Sequence, residues 1–286
     1  AMMKKIAVIN DLSGFGRCSL TAAISVISVM GVQPCPLPTA ILTAQTEYPS
    51  YYLSDCTDSM PHFRREWAKM GQVFDGIYTG FVASEAQLHE IFRFIETFHT
   101  SHTFLLVDPI MGDDGIKYDM FTPSLLQQMK MLAKKADIIT PNVTELCLLA
   151  DIDFAHMRAL SKQGGAKEEL ISTLRQAALS FSEEGPGHII ITGVHFTDEH
   201  GQRQIGNLYV AGEEVFFDFL PYIGESYSGT GDLFASCIAA GIARGDTIPG
   251  TIQQAGRFLE AAIKDSAKEN TPKNEGVNYE KYLNML

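Results

Sequence analysis

The sequence of 286 residues predicts an α/β fold with a mainly parallel central sheet. Short apolar stretches typical of strands alternate with longer stretches typical of helices, which is the pattern of βαβ units. Polar residues directly follow several apolar stretches, and ligands of open α/β sheets bind beyond the carboxyl ends of the strands. There is no internal repeat and no linker rich in glycine, serine or proline, so we expect residues 1–286 to form a single domain.

The elements of the first part follow one another with short connections. "KIAVIN" is an apolar strand, followed by the loop "DLSGFGR" and by "SLTAAISVISVMG", a helix that ends at Gly31. "VQPCPLPTAIL" has prolines at alternate positions, which indicates an extended or edge segment and not a central strand. "GIYTGF" is a strand, and "SEAQLHEIFRFIETF" is a helix with Ser84 as its N-cap.

The second part repeats the alternation. "TFLLVDP" is a buried strand that ends in Asp108, and "ADIITPN" precedes the helix "VTELCLLA", with Asn142 as a cap. "HIIITG" is a further strand, and "RQIGNLYVAGEEVFFDFLP" predicts two strands around a turn at Ala211 and Gly212. We expect "SKQGGAKEE" to be a flexible surface loop and "DLFASCIAAGIAR" to be a helix.

Composition excludes several classes of function. The net charge of −12 argues against a general nucleic-acid surface, which needs clustered lysine and arginine. No apolar run approaches the roughly 18 residues of a membrane span, and the first residues lack the apolar region of a signal peptide. Five scattered cysteines without a metal-type spacing favour a reduced, cytoplasmic protein. The histidines form no constellation, and His195 and His200 are expected in or near a loop.

The stretch "YSGTGDLFAS" is the strongest local candidate for chemistry. A glycine-rich turn that enters a helix exposes unpaired backbone N–H groups, which suit a phosphate. Asp232 lies beside this turn, and a purely structural helix cap is the alternative to a chemical role. "DLSGFGR" lacks the third glycine of a dinucleotide fingerprint, and the chain contains neither a Walker pattern nor a Gly-x-Ser-x-Gly elbow.

Taken in order, "TAILTAQTEY", "VDPIMGD", "DIITPNVTEL" and "GTGDLFA" resemble the ribokinase superfamily, and more closely its vitamin B6 kinase branch. The resemblance runs from about Lys5 to about Arg244. It implies a ribokinase-like three-layer α/β/α fold. It also implies ATP-dependent phosphorylation of the 5′-hydroxymethyl group of pyridoxal, pyridoxamine or pyridoxine.

The resemblance also implies roles for single residues. Asp232 corresponds to the catalytic base, and Gly229, Thr230 and Gly231 to the anion hole for the transferred phosphoryl group. Asp113 and Glu145 correspond to residues around Mg²⁺, and some members of the superfamily need K⁺ or Na⁺ near Asp108 and Thr140. The residues implied in ATP binding are Asp108, Asp113, Thr140, Asn142, Glu145, Thr192, Gly193 and Thr230.

On the substrate side, the corresponding residues are Asp11, Ser13, Gln45, Thr46, Phe81 and Asp232. Asp11 stands where many pyridoxal kinases have a serine, and Phe81 replaces a frequent tyrosine. An aspartate can pair with a protonated ring nitrogen or an amine, so we expect a pocket that tolerates pyridoxamine.

Two alternatives stay open. The hydroxymethylpyrimidine kinase branch of thiamine synthesis shares "DLSGFG" and "LTAQT", with Gln45 as a candidate pyrimidine contact, although many of its members carry cysteine in place of Asp232. A non-catalytic relative that binds a nucleotide or vitamin is a different class, and the intact Asp232, Glu145 and glycines argue against it. Membership of the B6 branch implies a homodimer that binds small molecules, without nucleic-acid or membrane partners.

Overall fold

A computed structural model describes residues 2–224 and 226–286, and the chain divides into two compact units. The first unit contains residues 1–106 and 225–286, and the second contains residues 107–224. The expectation of a single domain stays a prediction.

The strands, in chain order, are β1 (Lys5–Ser13), β2 (Gln33–Leu42), β3 (Leu53–Asp55), β4 (Gly76–Thr79), β5 (Phe104–Val107), β6 (Gly112–Asp113), β7 (Ile116–Lys117), β8 (Ile138–Ile139), β9 (His188–Thr197), β10 (Arg203–Ala211) and β11 (Glu214–Pro221). The helices are α1 (Ser19–Val29), α2 (Met60–Lys69), α3 (Glu85–Phe98), α4 (Pro123–Lys135), α5 (Val143–Ala150), α6 (Phe154–Lys162), α7 (Lys167–Ser182), α8 (Thr230–Arg244) and α9 (Ile248–Lys268).

The first unit is built around β1, which pairs in parallel with β2 and with β4. Its strand order is β5-β4-β1-β2-β3, and β3 pairs with β2 in the antiparallel direction. Since β3 covers only the last three residues of β2, the proline-rich part of β2 has a strand on the β1 side only, as its composition predicts. Helices α1, α8 and α9 pack in succession, and α8 is buried along most of its length.

The second unit has the strand order β11-β10-β9-β8. Strands β8 and β9 pair in parallel, whereas β9, β10 and β11 form an antiparallel meander. The meander confirms the two strands expected around Ala211 and Gly212. Helix α7 packs on β9 and β10. The predicted α/β class, with a mainly parallel central sheet, is confirmed.

Local signals set several of the helix ends. The Ser84 hydroxyl accepts a hydrogen bond from the Gln87 N–H at 3.2 Å, which confirms the predicted N-cap of α3. Thr122 and Thr247 cap α4 and α9 in the same way. Such caps are worth about 1 kcal/mol each because they satisfy amides that the first turn leaves unpaired.

Two strands run further than the sequence indicated. Strand β1 continues to Ser13, because Leu12 and Ser13 pair with β2 after a register shift, so Asp11 lies in a strand and not in a loop. Strand β9 continues past Gly193, because His195 pairs with Ile205 on β10, so His195 lies in a strand, near the loop that follows Thr197. Among the described helices, none combines the length and the hydropathy that a bilayer span requires.

Candidate active site

The predicted anion hole lies at the start of α8, in the first unit. Gly229 has a φ of 86°, and a Cβ at this position would lie 2.1 Å from the Arg17 carbonyl oxygen, so the turn accepts only glycine. The N–H of Leu233 bonds to the Gly229 carbonyl at 3.0 Å. The amides of Thr230 and Gly231 lie in the turn before it, where a helix has no internal acceptors, so the position suits an anion.

The predicted base, Asp232, is held from the start of another helix. Ser19 begins α1, and its N–H donates to Asp232 Oδ2 at 2.8 Å. Ser19 has a φ of 50°, a left-handed conformation that is costly for a residue other than glycine and that is concentrated at functional sites. The Ser19 side chain also lowers the pKa of Asp11, against the effect of burial. Ser19 therefore influences both carboxylates, a role that its place in an apolar helical pattern did not indicate.

The environment raises the pKa of both carboxyl groups. Burial raises the pKa of Asp232 to about 6, with a further contribution from the charge of Asp11, while the Ser19 N–H opposes the rise. Burial also raises the pKa of Asp11 above its usual range. A carboxylate with a pKa near 6 is ionised at neutral pH and is a stronger base than an ordinary aspartate. Burial and the two carboxylates raise the pKa of Cys18 to about 12, so its thiol is unreactive.

Unsatisfied polar atoms lie near the carboxyl ends of β1 and β4. Within the described residues, Asn10 Nδ2, Ser13 Oγ and Thr79 Oγ1 are buried without a hydrogen-bond partner. Buried polar atoms are rarely left unpaired, so these three fit a polar ligand or water. Ser13 is one of the substrate contacts predicted from the sequence. Asn10 and Thr79 were not among the predicted site residues. Phe81 follows β4 and is half-buried.

The side-chain amide of Gln45 is occupied by the protein itself. Gln45 Oε1 accepts from the Glu47 N–H at 3.0 Å, and Gln45 Nε2 donates to the Asn274 carbonyl at 2.9 Å. Thr46, beside it, is exposed. Neither a pyrimidine contact by Gln45 nor a vitamer contact by Thr46 is tested by this arrangement, and both stay predictions.

In the second unit, Asn142 and Glu145 form a reciprocal cap at the start of α5. The Glu145 N–H donates to Asn142 Oδ1 and the Asn142 N–H donates to Glu145 Oε1, each at 2.8 Å. This confirms the cap predicted from "TPNVTEL". Glu145 Oε2 accepts from the Met111 N–H at 3.0 Å, and burial raises the pKa of Glu145 well above its usual range.

The remaining nucleotide-side predictions fall at strand ends of the same unit. Thr140 Oγ1 donates to Asp108 Oδ1 at 3.1 Å, and both side chains are buried. Thr192 pairs with Asn142 in an isolated parallel β-bridge, just beyond the paired residues of β8 and β9. Gly193 is exposed with a φ of 59°, and Asp113 is exposed on β6.

The predicted metal ligands do not make a protein cage. The described residues contain no group of three or more His, Cys, Asp or Glu side chains placed to hold a metal. Both oxygens of Glu145 already accept backbone N–H groups. This donor set fits Mg²⁺ only in its usual manner, in which the ion keeps several waters and arrives with substrate phosphates. Asp113 and Glu145 would then hold it mainly through water.

Comparisons with known proteins place the chain in a family of kinases. A sequence model of the family described as phosphomethylpyrimidine kinase matches residues 16–277. A Bacteroides thetaiotaomicron protein, provisionally assigned as a phosphomethylpyrimidine kinase, is 36% identical with a TM-score of 0.88 over 99% of this chain and 93% of its own. Its orthorhombic crystal form was solved with pyridoxal.

Two relatives carry the pyridoxal kinase name. The Lactobacillus plantarum pyridoxal kinase is 28% identical with a TM-score of 0.84, over 99% of this chain and 96% of its own. A provisionally named pyridoxal kinase of Schizosaccharomyces pombe is 31% identical over 59% of this chain. The chain spans only 27% to 47% of the length of the first three curated relatives. These matches confirm the predicted ribokinase-like fold and the resemblance to the vitamin B6 kinase branch.

Proposed function

Because the chain belongs to the phosphomethylpyrimidine kinase family, we propose that it is an ATP-dependent kinase that phosphorylates the 5′-hydroxymethyl group of a B6 vitamer. One observation carries the proposal. Asp232, with a raised pKa, stands in the first turn of α8 beside the glycine turn and the amides of Thr230 and Gly231. A base and an anion site on the same turn are what transfer of a phosphoryl group to an alcohol requires.

In the proposed reaction, Asp232 accepts the proton of the substrate hydroxyl while its oxygen attacks the γ-phosphorus of ATP. A new P–O bond forms, and the bond between the γ-phosphorus and the bridging oxygen breaks to release ADP. The amides of Thr230 and Gly231 stabilise the charge that develops on the phosphoryl oxygens. When bound, Mg²⁺ neutralises part of the phosphate charge, which lets a carboxylate stand beside it. Ser19 keeps the carboxylate of Asp232 in place.

The nucleotide contacts in this proposal follow from the family resemblance. Asp108 and Thr140 form a buried hydrogen-bonded pair, and Asn142, Glu145 and Thr192 surround the start of α5. We assign them, with Asp113 and Gly193, to ATP and its Mg²⁺, and a monovalent cation near Asp108 belongs to the same proposal. Substitution of each of these residues by itself would test its assignment.

Asp11 is the proposed determinant of vitamer preference. Asp11 is half-buried, and burial raises the pKa of its carboxyl while the Ser19 side chain opposes the rise. A carboxylate in such a place favours a cation, such as a protonated ring nitrogen or the amine of pyridoxamine. The Bacteroides thetaiotaomicron relative solved with pyridoxal supports the B6 class. Asp11→Ser should therefore lower kcat/KM for pyridoxamine more than for pyridoxal.

Hydroxymethylpyrimidine kinase is the second candidate. The family description and a Bacillus subtilis relative of that name, 25% identical over 91% of this chain, support it. The amide of Gln45 has protein partners, which gives no support to its proposed pyrimidine contact, so we rank this candidate second. A non-catalytic relative ranks third. A homodimer and a cytoplasmic location, the latter favoured by five free thiols, complete the proposal.

The test is release of ADP with Mg-ATP and each of pyridoxal, pyridoxamine, pyridoxine and hydroxymethylpyrimidine. The proposal expects the highest kcat/KM with a B6 vitamer. The highest value with hydroxymethylpyrimidine would move the protein to the second candidate. Bound ATP without turnover of any alcohol would support the non-catalytic relative.

A further inference from the structure

Three loops of the first unit contact one short segment near the end of the chain. This segment, residues 273–276, follows α9, and we call it the bracket. Three consecutive carbonyls of the bracket each accept one hydrogen bond. Lys273 O accepts from the Ser228 N–H at 3.1 Å, Asn274 O from Gln45 Nε2 at 2.9 Å, and Glu275 O from the Arg17 N–H at 3.1 Å.

Each donor belongs to a loop that carries part of the proposed site. Arg17 precedes Ser19 by two residues, and Ser19 holds Asp232 through its N–H. Ser228 directly precedes Gly229, the residue that turns the chain into α8. Gln45 anchors the loop of Thr46, and the next residue, Glu47, accepts a hydrogen bond from the Ser228 hydroxyl.

Close packing fixes the bracket against the same loops. A Cβ on Gly276, whose φ is 78°, would lie 2.9 Å from Arg17 Cβ and 3.0 Å from Ser228 O. The Arg17 Nε donates to Glu280 Oε2 at 2.8 Å, and the Lys273 ammonium lies 4.1 Å from the centre of the Tyr227 ring. A small displacement of the bracket would therefore displace the loops of Arg17 and Ser228.

We propose that the bracket sets the relative position of the base and the anion site, and that Gln45 is a positioning residue that ties a third loop to it. Gln45 acts through the protein, because its amide oxygen and nitrogen both have protein partners and the residue is only 8% exposed. The inference rests on the proposed kinase function. If Gln45 contacted the substrate, its substitution would affect one alcohol more than another. As a positioning residue, its substitution must affect the phosphorylation of every alcohol substrate alike.

The experiment compares Gln45→Met, which keeps the length of the side chain and removes its hydrogen bonds to Asn274 and Glu47, with Gln72→Met as a matched control. Gln72 accepts a single hydrogen bond from Lys5 Nζ at 3.0 Å, away from the bracket. Gly276→Ala is the second variant and displaces the bracket directly. For each protein we would measure kcat and KM with pyridoxal, pyridoxamine and hydroxymethylpyrimidine, the melting temperature, and hydrogen–deuterium exchange of peptides that contain Arg17 or Ser228.

The inference predicts that Gln45→Met lowers kcat about tenfold for every substrate with KM for ATP little changed, since loss of the hydrogen bond to the bracket shifts the reacting groups. Exchange at both peptides should be faster than in the wild type, and Gln72→Met should match the wild type. A loss confined to one substrate would overturn the inference, and so would unchanged kcat. If the wild type phosphorylates none of these alcohols, the proposed function fails. The positioning role of the bracket is then judged by hydrogen–deuterium exchange alone, and unchanged exchange in both Gln45→Met and Gly276→Ala would overturn it.

Discussion

Asp232→Asn should change catalysis and stability in opposite directions. The amide has nearly the shape of the carboxylate but cannot accept the proton of the substrate hydroxyl. We expect kcat to fall about 10²- to 10⁴-fold, the usual contribution of a general base. The affinity for Mg-ATP should change little, because the amides of the glycine turn are kept. The same substitution should stabilise the fold at neutral pH.

The size of that stabilisation follows from the pKa of Asp232. Burial raises this pKa from 3.8 to about 6 on folding. The group is therefore protonated in both states below pH 3.8, and above pH 6 its ionisation costs the folded state about 3 kcal/mol. Since the residue is only half-buried, about 3 kcal/mol is an upper bound.

Urea unfolding near pH 8 and near pH 4 would measure this difference for the wild type, Asp232→Asn and the exposed control Asp58→Asn. We expect Asp232→Asn to be the most stable of the three near pH 8 and equal to the others near pH 4. Release of ADP would be followed with the same preparations. Normal turnover of Asp232→Asn, or a loss of stability near pH 8, would refute the assignment of Asp232 as a base with a raised pKa.

Three further predictions follow from the geometry. For the wild type, kcat/KM should fall as the pH drops through about 6, because protonated Asp232 cannot act as a base, and a flat profile to pH 5 would contradict this. Glu145→Ala should destabilise the protein by about 2 to 4 kcal/mol in urea unfolding, since it leaves the Met111 and Asn142 amides unpaired. The control is Glu168→Ala at an exposed position, and equal losses of stability in the two variants would contradict the buried cap. Gly229→Ala should unfold at a lower urea concentration and lose turnover. Gly245 has a φ of 91° and no close neighbour, so Gly245→Ala should lower the free energy of unfolding by only about 1 kcal/mol. Equal losses of stability in the two variants would contradict the close approach of Gly229 to Arg17 O.

The sequence predicted the elements whose signals are local. Apolar runs located β1, β4 and β5, the caps Ser84 and Asn142 located the starts of α3 and α5, and alternate prolines marked the open edge of β2. These features depend on residues within a few positions of one another. The predicted glycine turn and helix at Gly229 were found for the same reason.

The missed features depend on contacts between distant parts of the chain. Ser19 lies 213 positions from Asp232, and its left-handed backbone has no signature in an apolar helical pattern. The bracket lies 229 positions from Gln45, and backbone carbonyls carry no information about their partners in the sequence. The extension of β1 to Ser13 depends on a register shift against β2. Pairing and packing, which periodicity does not encode, decide all three.

The most direct test of the central claim is release of ADP with Mg-ATP against the B6 vitamers and hydroxymethylpyrimidine, with Asp232→Asn measured beside the wild type. We predict the highest kcat/KM for a B6 vitamer and a drop of at least about 10²-fold in the variant. Equal turnover by the two proteins, or turnover of hydroxymethylpyrimidine alone, would contradict the account.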